Sequence, residues 1–334
     1  MLKKSLSFDD VLIVPKFSNV KSRKDVNTRV GFLGLQVLPV VSSNMASVTE
    51  VNMAKAMRSA GAIGALHRFM SIEDNVRMYE SSPQETLVSI GLGDVELERA
   101  AALYRVGARR FIIDVAHGAH MEVVRQTKAL RHIIGKDGYI VVGNFATAQS
   151  VKDFKYFLGE TKIDAIKVGI GGGGSCVTRM VTGCGLPTLA SVLDCSELGL
   201  PIIADGGVRN SGDIAKALAA GATVVMCGRI LAGSNESSAE VDSQFKIYSG
   251  SASMESYEAQ GKGASHRTPE GESFLVPLTG SVFNTIQTLE SGLRSAMSYV
   301  GVTNLHDFRE CAELVEVTGH GKLESEAHGK HSRF

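Results

Sequence analysis

Residues 165–179 read A-I-K-V-G-I-G-G-G-G-S-C-V-T-R: a short run rich in aliphatic residues, then a glycine loop, then a thiol. Such a run suits a strand better than a helix, and its continuous apolar character fits a strand covered on both faces, as in a parallel sheet. The pattern recurs. Runs at 38–42, 62–67, 86–90, 111–115, 139–143, 201–205 and 223–228 also end in small or polar residues, so that with 165–169 there are eight candidate strands. Between them lie helical patterns at 51–59, 95–106, 119–134, 148–158 and 211–220, the last with Ser211 as the expected N-cap ahead of Asp213. Eight strands alternating with helices over roughly 230 residues match a closed (β/α)8 barrel better than a doubly wound sheet, which has about five or six strands. The expected fold class is therefore α/β, a (β/α)8 TIM barrel spanning residues 1–334 as a single domain.

Composition narrows the partners. Thirty-five Lys and Arg balance thirty-five Asp and Glu, so no global field draws nucleic acid or an acidic membrane, and the expected ligands are small molecules. Two lysines near the N-terminus precede no apolar core of a signal peptide, and no apolar run approaches a bilayer span, which makes a cytoplasmic location the expectation. Five cysteines, Cys176, Cys184, Cys195, Cys227 and Cys311, form an odd set with no C-x-x-C pair. That argues against a disulfide framework and a zinc site, and the four other than Cys176 are expected as buried small hydrophobes. The polar stretch 234–280, after the eighth strand, is too long for an ordinary turn and reads as a mobile active-site flap, with a solvated surface excursion as the plain alternative. Residues 319–334 carry three histidines among charges and read as a mobile tail.

In such barrels the functional residues project from the C-terminal ends of the strands. Cys176 follows the sixth strand in a polar glycine loop, where a thiol can be deprotonated and can close onto a substrate. Thr178 is within plausible reach of a reacting atom, and Arg179 is a further candidate for steadying negative charge. A flexible loop with an incidental thiol is the competing reading. After the seventh strand comes Ala204-Asp205-Gly206-Gly207 and after the eighth Cys227-Gly228-Arg229, the strand ends where barrels often build a phosphate site from loop amides. Asp205 could accept hydrogen bonds from two ribose hydroxyls, and a nucleoside monophosphate is then the natural ligand. The alternative is that the glycines only turn the chain and Asp205 caps the next segment.

The run G-I-G-x-G-x-x-C-x-T-R, the A-D-G-G segment, G-x-x-L-A-G-x-x-E-S at 228–237, the opening S-F-D-D-V-L-I-V-P and S-S-N-M-x-S-V-T-E together resemble the IMP dehydrogenase/GMP reductase family across essentially the whole chain. The resemblance implies a (β/α)8 barrel, usually a homotetramer, in which a cysteine attacks C2 of a purine monophosphate and hydride passes between C2 and a nicotinamide.

Two branches of that family differ in sequence. Most of its dehydrogenases carry a CBS-domain pair inserted near the position of His67-Arg68-Phe69-Met70, and this chain runs straight on. The dehydrogenases use an Arg-Tyr pair in the flap to activate water, and no such pair occurs in 234–280. In its place stands His266-Arg267-Thr268-Pro269-Glu270-Gly271, similar to the reductase's Y-R-x-x-E-G. By that match Glu270 works with Thr178 to protonate departing ammonia as Cys176 adds to C2 of GMP, and Arg267 and Gly271 line the base pocket. Asp114-Val115-Ala116-His117-Gly118 is close to the reductase's D-V-A-N-G, so Asp114, Ala116, His117 and Gly118 are the expected cofactor contacts, with His117 replacing the usual Asn. Ser175, Asp205, Gly206, Gly207, Gly228, Arg229 and Ser251 complete the expected substrate contacts. The family serine that contacts phosphate is Gly174 here, with Ser175 displaced by one. Gly250-Ser251-Ala252-Ser253 stands where a methionine usually meets the purine. The carbonyls of Gly171, Gly173 and Cys176 match the family's monovalent-cation loop, making potassium the expected ion. The segment 317–325 is closer to the dehydrogenase ending. The reading that results is GMP reductase, with NADPH as reductant, NADH also open, and GMP and IMP as substrate and product. The alternatives are an IMP dehydrogenase without CBS domains and an inactive nucleotide-binding regulator.

Overall fold

The computed structural model describes residues 4–254 and 268–325. Three short strands come first: β1 (Val11–Ile13), then β2 (Val30–Phe32) and β3 (Leu35–Val37), which form an antiparallel hairpin. Eight parallel strands come next: β4 (Val40–Ser42), β5 (Ile63–Leu66), β6 (Leu87–Ile90), β7 (Arg110–Asp114), β8 (Tyr139–Phe145), β9 (Ala165–Val168), β10 (Ile202–Asp205) and β11 (Val224–Cys227). Each pairs with the next, and β11 pairs with β4 to close the barrel. The expected (β/α)8 fold is the observed one, with strand ends trimmed or extended by one or two residues.

Every expected helix is present; Val51–Ser59 and Ala148–Leu158 match residue for residue. One cap differs. Ser211 is already helical, and Asn210, held in extended backbone, accepts from the Asp213 amide at 2.9 Å. The short amide side chain reaches the free N–H that a residue inside the helix cannot. Helices Ile72–Glu80 and Thr188–Ser196 also pack on the barrel.

Strand alternation sorts the core into two layers. Val41, Ile63, Ala65, Leu87, Ile112, Val141, Ala165, Ile203 and Val224 face the barrel axis, and Phe32, Leu33 and Val37 of the hairpin plug its N-terminal end. The alternate residues, among them Val40, Val88, Ile113, Ile140, Ile166 and Val168, pack outward against the helices. With the axis filled and one end plugged, the opposite end is where a ligand can enter, and there the alternation turns Asp114, Lys167 and Asp205 inward.

Residues 234–280 follow β11 and the short helix Arg229–Ala232, and the two ends of the segment meet. Ser234 bridges Gly280, and between them β12 (Val241–Asp242), β13 (Phe245–Ser249) and β14 (Ser273–Pro277) form an antiparallel ribbon standing beside the barrel mouth. β15 (Leu314–Glu316) pairs with β1. In the described part of the tail, Gly319–Glu324 is a helix, and Lys322 Nζ lies 3.1 Å from Asp9. Of the four cysteines expected in the core, Cys195 and Cys227 are buried, but Cys184 and Cys311 are exposed, because each sits in a surface segment rather than on a strand or inner helix face. No helix among the described residues is long and apolar enough to cross a membrane.

Candidate active site

A cleft at the C-terminal end of the barrel has two adjoining halves that share Ser43, Met45, Gly172, Gly173 and Asp205. The first, about 360 Å³, holds Cys176, Thr178, Glu270, Gly271, Ser251, Asp114 and Ala116. The second, about 300 Å³, holds Gly206, Gly207, Gly228 and Arg229 with Gly174 and Tyr248. The glycine loop is the wall between them.

Cys176 is partly buried, and its thiol donates to Thr178 Oγ1 at 3.1 Å; the Thr178 hydroxyl in turn donates to Glu270 Oε2 at 2.7 Å. These three groups come from two segments more than ninety residues apart. Main-chain bonds fix the meeting: Val177 N donates to Glu270 O at 2.9 Å and Glu272 N to Ser175 O at 2.8 Å, so the returning edge of the ribbon is docked on the cysteine loop. Ala252 O accepts from Glu270 N at 3.1 Å, which ties Ser251 and its neighbours to the same clamp. The thiol is therefore no incidental side chain on a free loop. It begins a three-member hydrogen-bond chain that ends on a carboxylate.

The second half of the cleft is built by backbone approach. Gly206 has φ of +93°, and a Cβ there would lie 2.8 Å from Gly172 C and Gly173 N, so the β10 loop and the cysteine loop touch main chain to main chain. Only glycine allows both the left-handed conformation and that contact. Asp205 caps no helix. Its Oδ2 accepts from Lys167 Nζ at 2.5 Å and Asn144 Nδ2 at 2.9 Å. The stem of Arg229 occupies the space beside Gly174, where a Cβ would meet Arg229 Cδ at 3.3 Å, and its guanidinium lies 5.3 Å from the Phe274 ring centre. Ser175 is buried and its side chain shares a hydrogen bond with Tyr248, whose hydroxyl burial pushes up to about 12.

Arg179 lines the second half of the cleft and also braces the loop, donating to the Leu186 carbonyl and to Ile170 O at 3.4 Å. Asp114 and Ala116 line the cleft; His117 is exposed and outside the lining, and Gly118 is packed so tightly on Asn144 and Gly143 that a Cβ would meet backbone at 3.1 Å. Arg267 lies outside the described residues. Of the expected cation ligands, Gly171 and Gly173 line the cleft, and Gly173 O accepts from Cys176 N at 3.1 Å. Carbonyl oxygens of that kind suit a weakly hydrated monovalent ion.

Sequence reading missed Lys167, Asn144, Asn44 and Arg68. Lys167 carried a sign of its role, a charge inside an otherwise apolar strand. Arg68 Nε and Asn144 Oδ1 are buried polar atoms without a partner among the described residues, and both residues line the half of the cleft beside Cys176. A ligand with donors and acceptors of its own fits that wall.

Comparison with known proteins finds relatives along nearly the whole chain. The family described as the IMP dehydrogenase / GMP reductase domain matches residues 5–328. An inosine-5'-monophosphate dehydrogenase of Cryptosporidium parvum is 33% identical, the match covering 97% of this chain and 95% of that one. A GMP reductase of Vibrio vulnificus strain YJ016 is 34% identical, covering 93% of this chain and 94% of that one. The crystal structure of a cysteine-to-alanine variant of GMP reductase from Trypanosoma brucei, in complex with guanosine 5'-monophosphate, superimposes with a TM-score of 0.90 at 26% identity over 98% of each chain.

Proposed function

The chain belongs to the IMP dehydrogenase / GMP reductase family, a family of oxidoreductases, and within it we propose that this protein is a GMP reductase that converts GMP to IMP and ammonia with NADPH. The observation that carries the reading is the chain Cys176 to Thr178 to Glu270, at 3.1 and 2.7 Å. Its donors all point toward the carboxylate. A proton leaving the thiol therefore passes through the Thr178 hydroxyl to Glu270, and the sulfur bonds to C2 of the purine. Glu270 then returns the proton to the 2-amino group as the C2–N bond breaks, so the thiol hydrogen ends on ammonia. Splitting one difficult displacement into two steps through a covalent bond lowers each barrier. A reduced nicotinamide, once bound, supplies the hydride that replaces sulfur at C2, and the bonding pair returns to Cys176. Asp114, Val115, Ala116, Phe69 and Arg68 would hold that ring beside the purine.

The phosphate goes to the glycine half of the cleft, against Gly206, Gly207, Gly228 and Arg229, and the ribose to Asp205. The absence of an Arg-Tyr pair in 234–280 removes the group that would activate water in the dehydrogenase direction. Two observations favour that direction: the tail at 317–325, and a likeness to the Cryptosporidium parvum dehydrogenase as strong as that to the Vibrio vulnificus reductase. The proposal extends to a homotetramer and to a potassium ion on the carbonyls of Gly171, Gly173 and Cys176. Incubation with GMP and NADPH, and separately with IMP and NAD, tests the reading. Ammonia and IMP in the first mixture support it. XMP in the second with no ammonia in the first overturns it in favour of the dehydrogenase, and unchanged nucleotide in both leaves a binding protein.

A further inference from the structure

Beneath the shared wall of the cleft lies a buried ammonium that the proposed chemistry does not use. Lys167 is the third residue of β9, and strand alternation turns it, with Ala165, toward the barrel axis. Gly143 on β8 makes room for it: a Cβ there would lie 2.6 Å from Lys167 Cβ. Lys167 Nζ is 2.8 Å from Asp114 Oδ1 and 2.5 Å from Asp205 Oδ2, with 3% of the side chain exposed. Asp114 ends β7 and Asp205 ends β10, strands that are not neighbours in the barrel. The ammonium is what joins the wall beside Cys176 to the wall beside the phosphate half.

Neutral amides complete the arrangement. Asn44 Nδ2 donates to Asp114 Oδ2 at 2.8 Å, and Asn144 Nδ2 donates to Asp205 Oδ2 at 2.9 Å. Because Lys167 and Asn144 both bond Oδ2, the other oxygen of Asp205 is the one left for a ribose diol. We infer that Lys167 is a positioning residue for the nucleotide: set between Asp114 and Asp205, it lets two carboxylates share the barrel mouth and aims the second one at the ribose. The inference rests on the proposed placement of ribose at Asp205.

The surrounding charges are consistent with that role. Arg68, after β5, acts on Asp114 within the same half of the cleft. Cys227 on β11 and Tyr248 on β13 face Asp205, and burial pushes each up to about 12, so both are neutral through the physiological range. Although burial works against ionisation of Asp114, the Lys167 charge holds its carboxyl below the usual range. Lys167 in turn is raised, against its own burial, by Asp114 and Asp205.

Removing the cation leaves two carboxylates facing each other. Two carboxylates sharing a site raise the proton affinity of one of them strongly, so the pair takes a proton as the pH falls toward the acid side of neutrality, and Asp205 is then a poorer acceptor for two hydroxyls. The test is GMP binding by titration calorimetry from pH 5.5 to 8.5, with thermal melts alongside. Titration of the phosphate is common to all variants and cancels in the ratio to the wild type. Lys167→Met should weaken GMP about tenfold at pH 5.5 and by less than about threefold at pH 8.5. Adding Asp114→Asn, which removes the repelling partner, should bring the loss at pH 5.5 to about threefold or less. A loss that is equal at both pH values, or one that Asp114→Asn does not relieve, overturns the inference and leaves Lys167 as packing. Should Lys167→Met fail to fold, the melts carry the same test: Asp114→Asn must restore folding, and failure to restore it overturns the inference. Asp205→Asn separates the two readings, since wild-type GMP affinity in that variant refutes the ribose placement whatever Lys167 does.

Discussion

Thr178→Val removes one hydroxyl and keeps the side chain's shape. In the structure that hydroxyl accepts from the Cys176 thiol at 3.1 Å and donates to Glu270 at 2.7 Å, and the residue is 8% exposed. A hydrogen bond to a charged group is worth about 1.5–3 kcal/mol. If that bond is made in the transition state for ammonia release, a tenfold change per 1.36 kcal/mol converts it to a drop of about 10- to 150-fold in kcat. General acid-base groups as a class contribute about 10²- to 10⁴-fold, so the estimate sits at the low end, as expected for a hydroxyl that passes a proton on. KM for GMP should stay within about twofold, because Thr178 does not line the phosphate half of the cleft. Folding should survive with a loss of about 1 kcal/mol, because the main-chain bond from Val177 to Glu270 remains. The assay is steady-state ammonia release from GMP with NADPH, with Thr178→Ser as the control that keeps a hydroxyl. A kcat for the valine variant within threefold of wild type, at unchanged melting temperature, would refute the relay.

Three further outcomes come from separate parts of the molecule. Gly206→Ala should cost about 1–3 kcal/mol in unfolding free energy and also weaken GMP, because the new Cβ meets the Gly172 and Gly173 backbone at 2.8 Å in a left-handed conformation; chemical denaturation and calorimetry read both effects. Arg229→Gln should weaken GMP about three- to tenfold while leaving guanosine unaffected, with a difference that shrinks in high salt, as expected of a partly exposed charge on a phosphate. Asp9 is held well down, to about 2, chiefly by hydrogen bonding to Arg209, against burial and with help from Lys322. A depressed carboxylate stabilises the fold above its unfolded pKa, and that stabilisation is lost as the pH falls through its folded pKa. The unfolding free-energy difference between wild type and Asp9→Asn should thus be full near pH 7, shrink below about pH 4 and vanish toward pH 2.

The barrel was legible because its strands are short, continuous and apolar, and eight of them recur with helical stretches between. Boundaries were less so. Asn210 and Ser211 are both good caps, and only the extended backbone at Asn210 decides between them. The ribbon after β11 could be recognised as an excursion from its length, but its pairing of Phe245–Ser249 with Ser273–Pro277 is non-local and leaves no periodic mark. Within the site, Cys176, Thr178 and Asp205 stood out because they sit in or beside glycine loops at strand ends. Glu270 was reached through resemblance alone, since nothing in its local sequence says that it lies 2.7 Å from a threonine ninety-two residues away. Lys167 marks itself as a charge in an aliphatic run, but what it does there shows only once β7 and β10 place carboxylates on either side of it.

Everything turns on a bond between Cys176 and the purine. Rapid acid quench of the protein with GMP, followed by intact-mass and peptide mass spectrometry, should show a nucleotide adduct on the peptide carrying Cys176, formed with release of one ammonia and lost when NADPH is added. Turnover at the wild-type rate in Cys176→Ala, or ammonia release with no adduct at any quench time, would contradict the account.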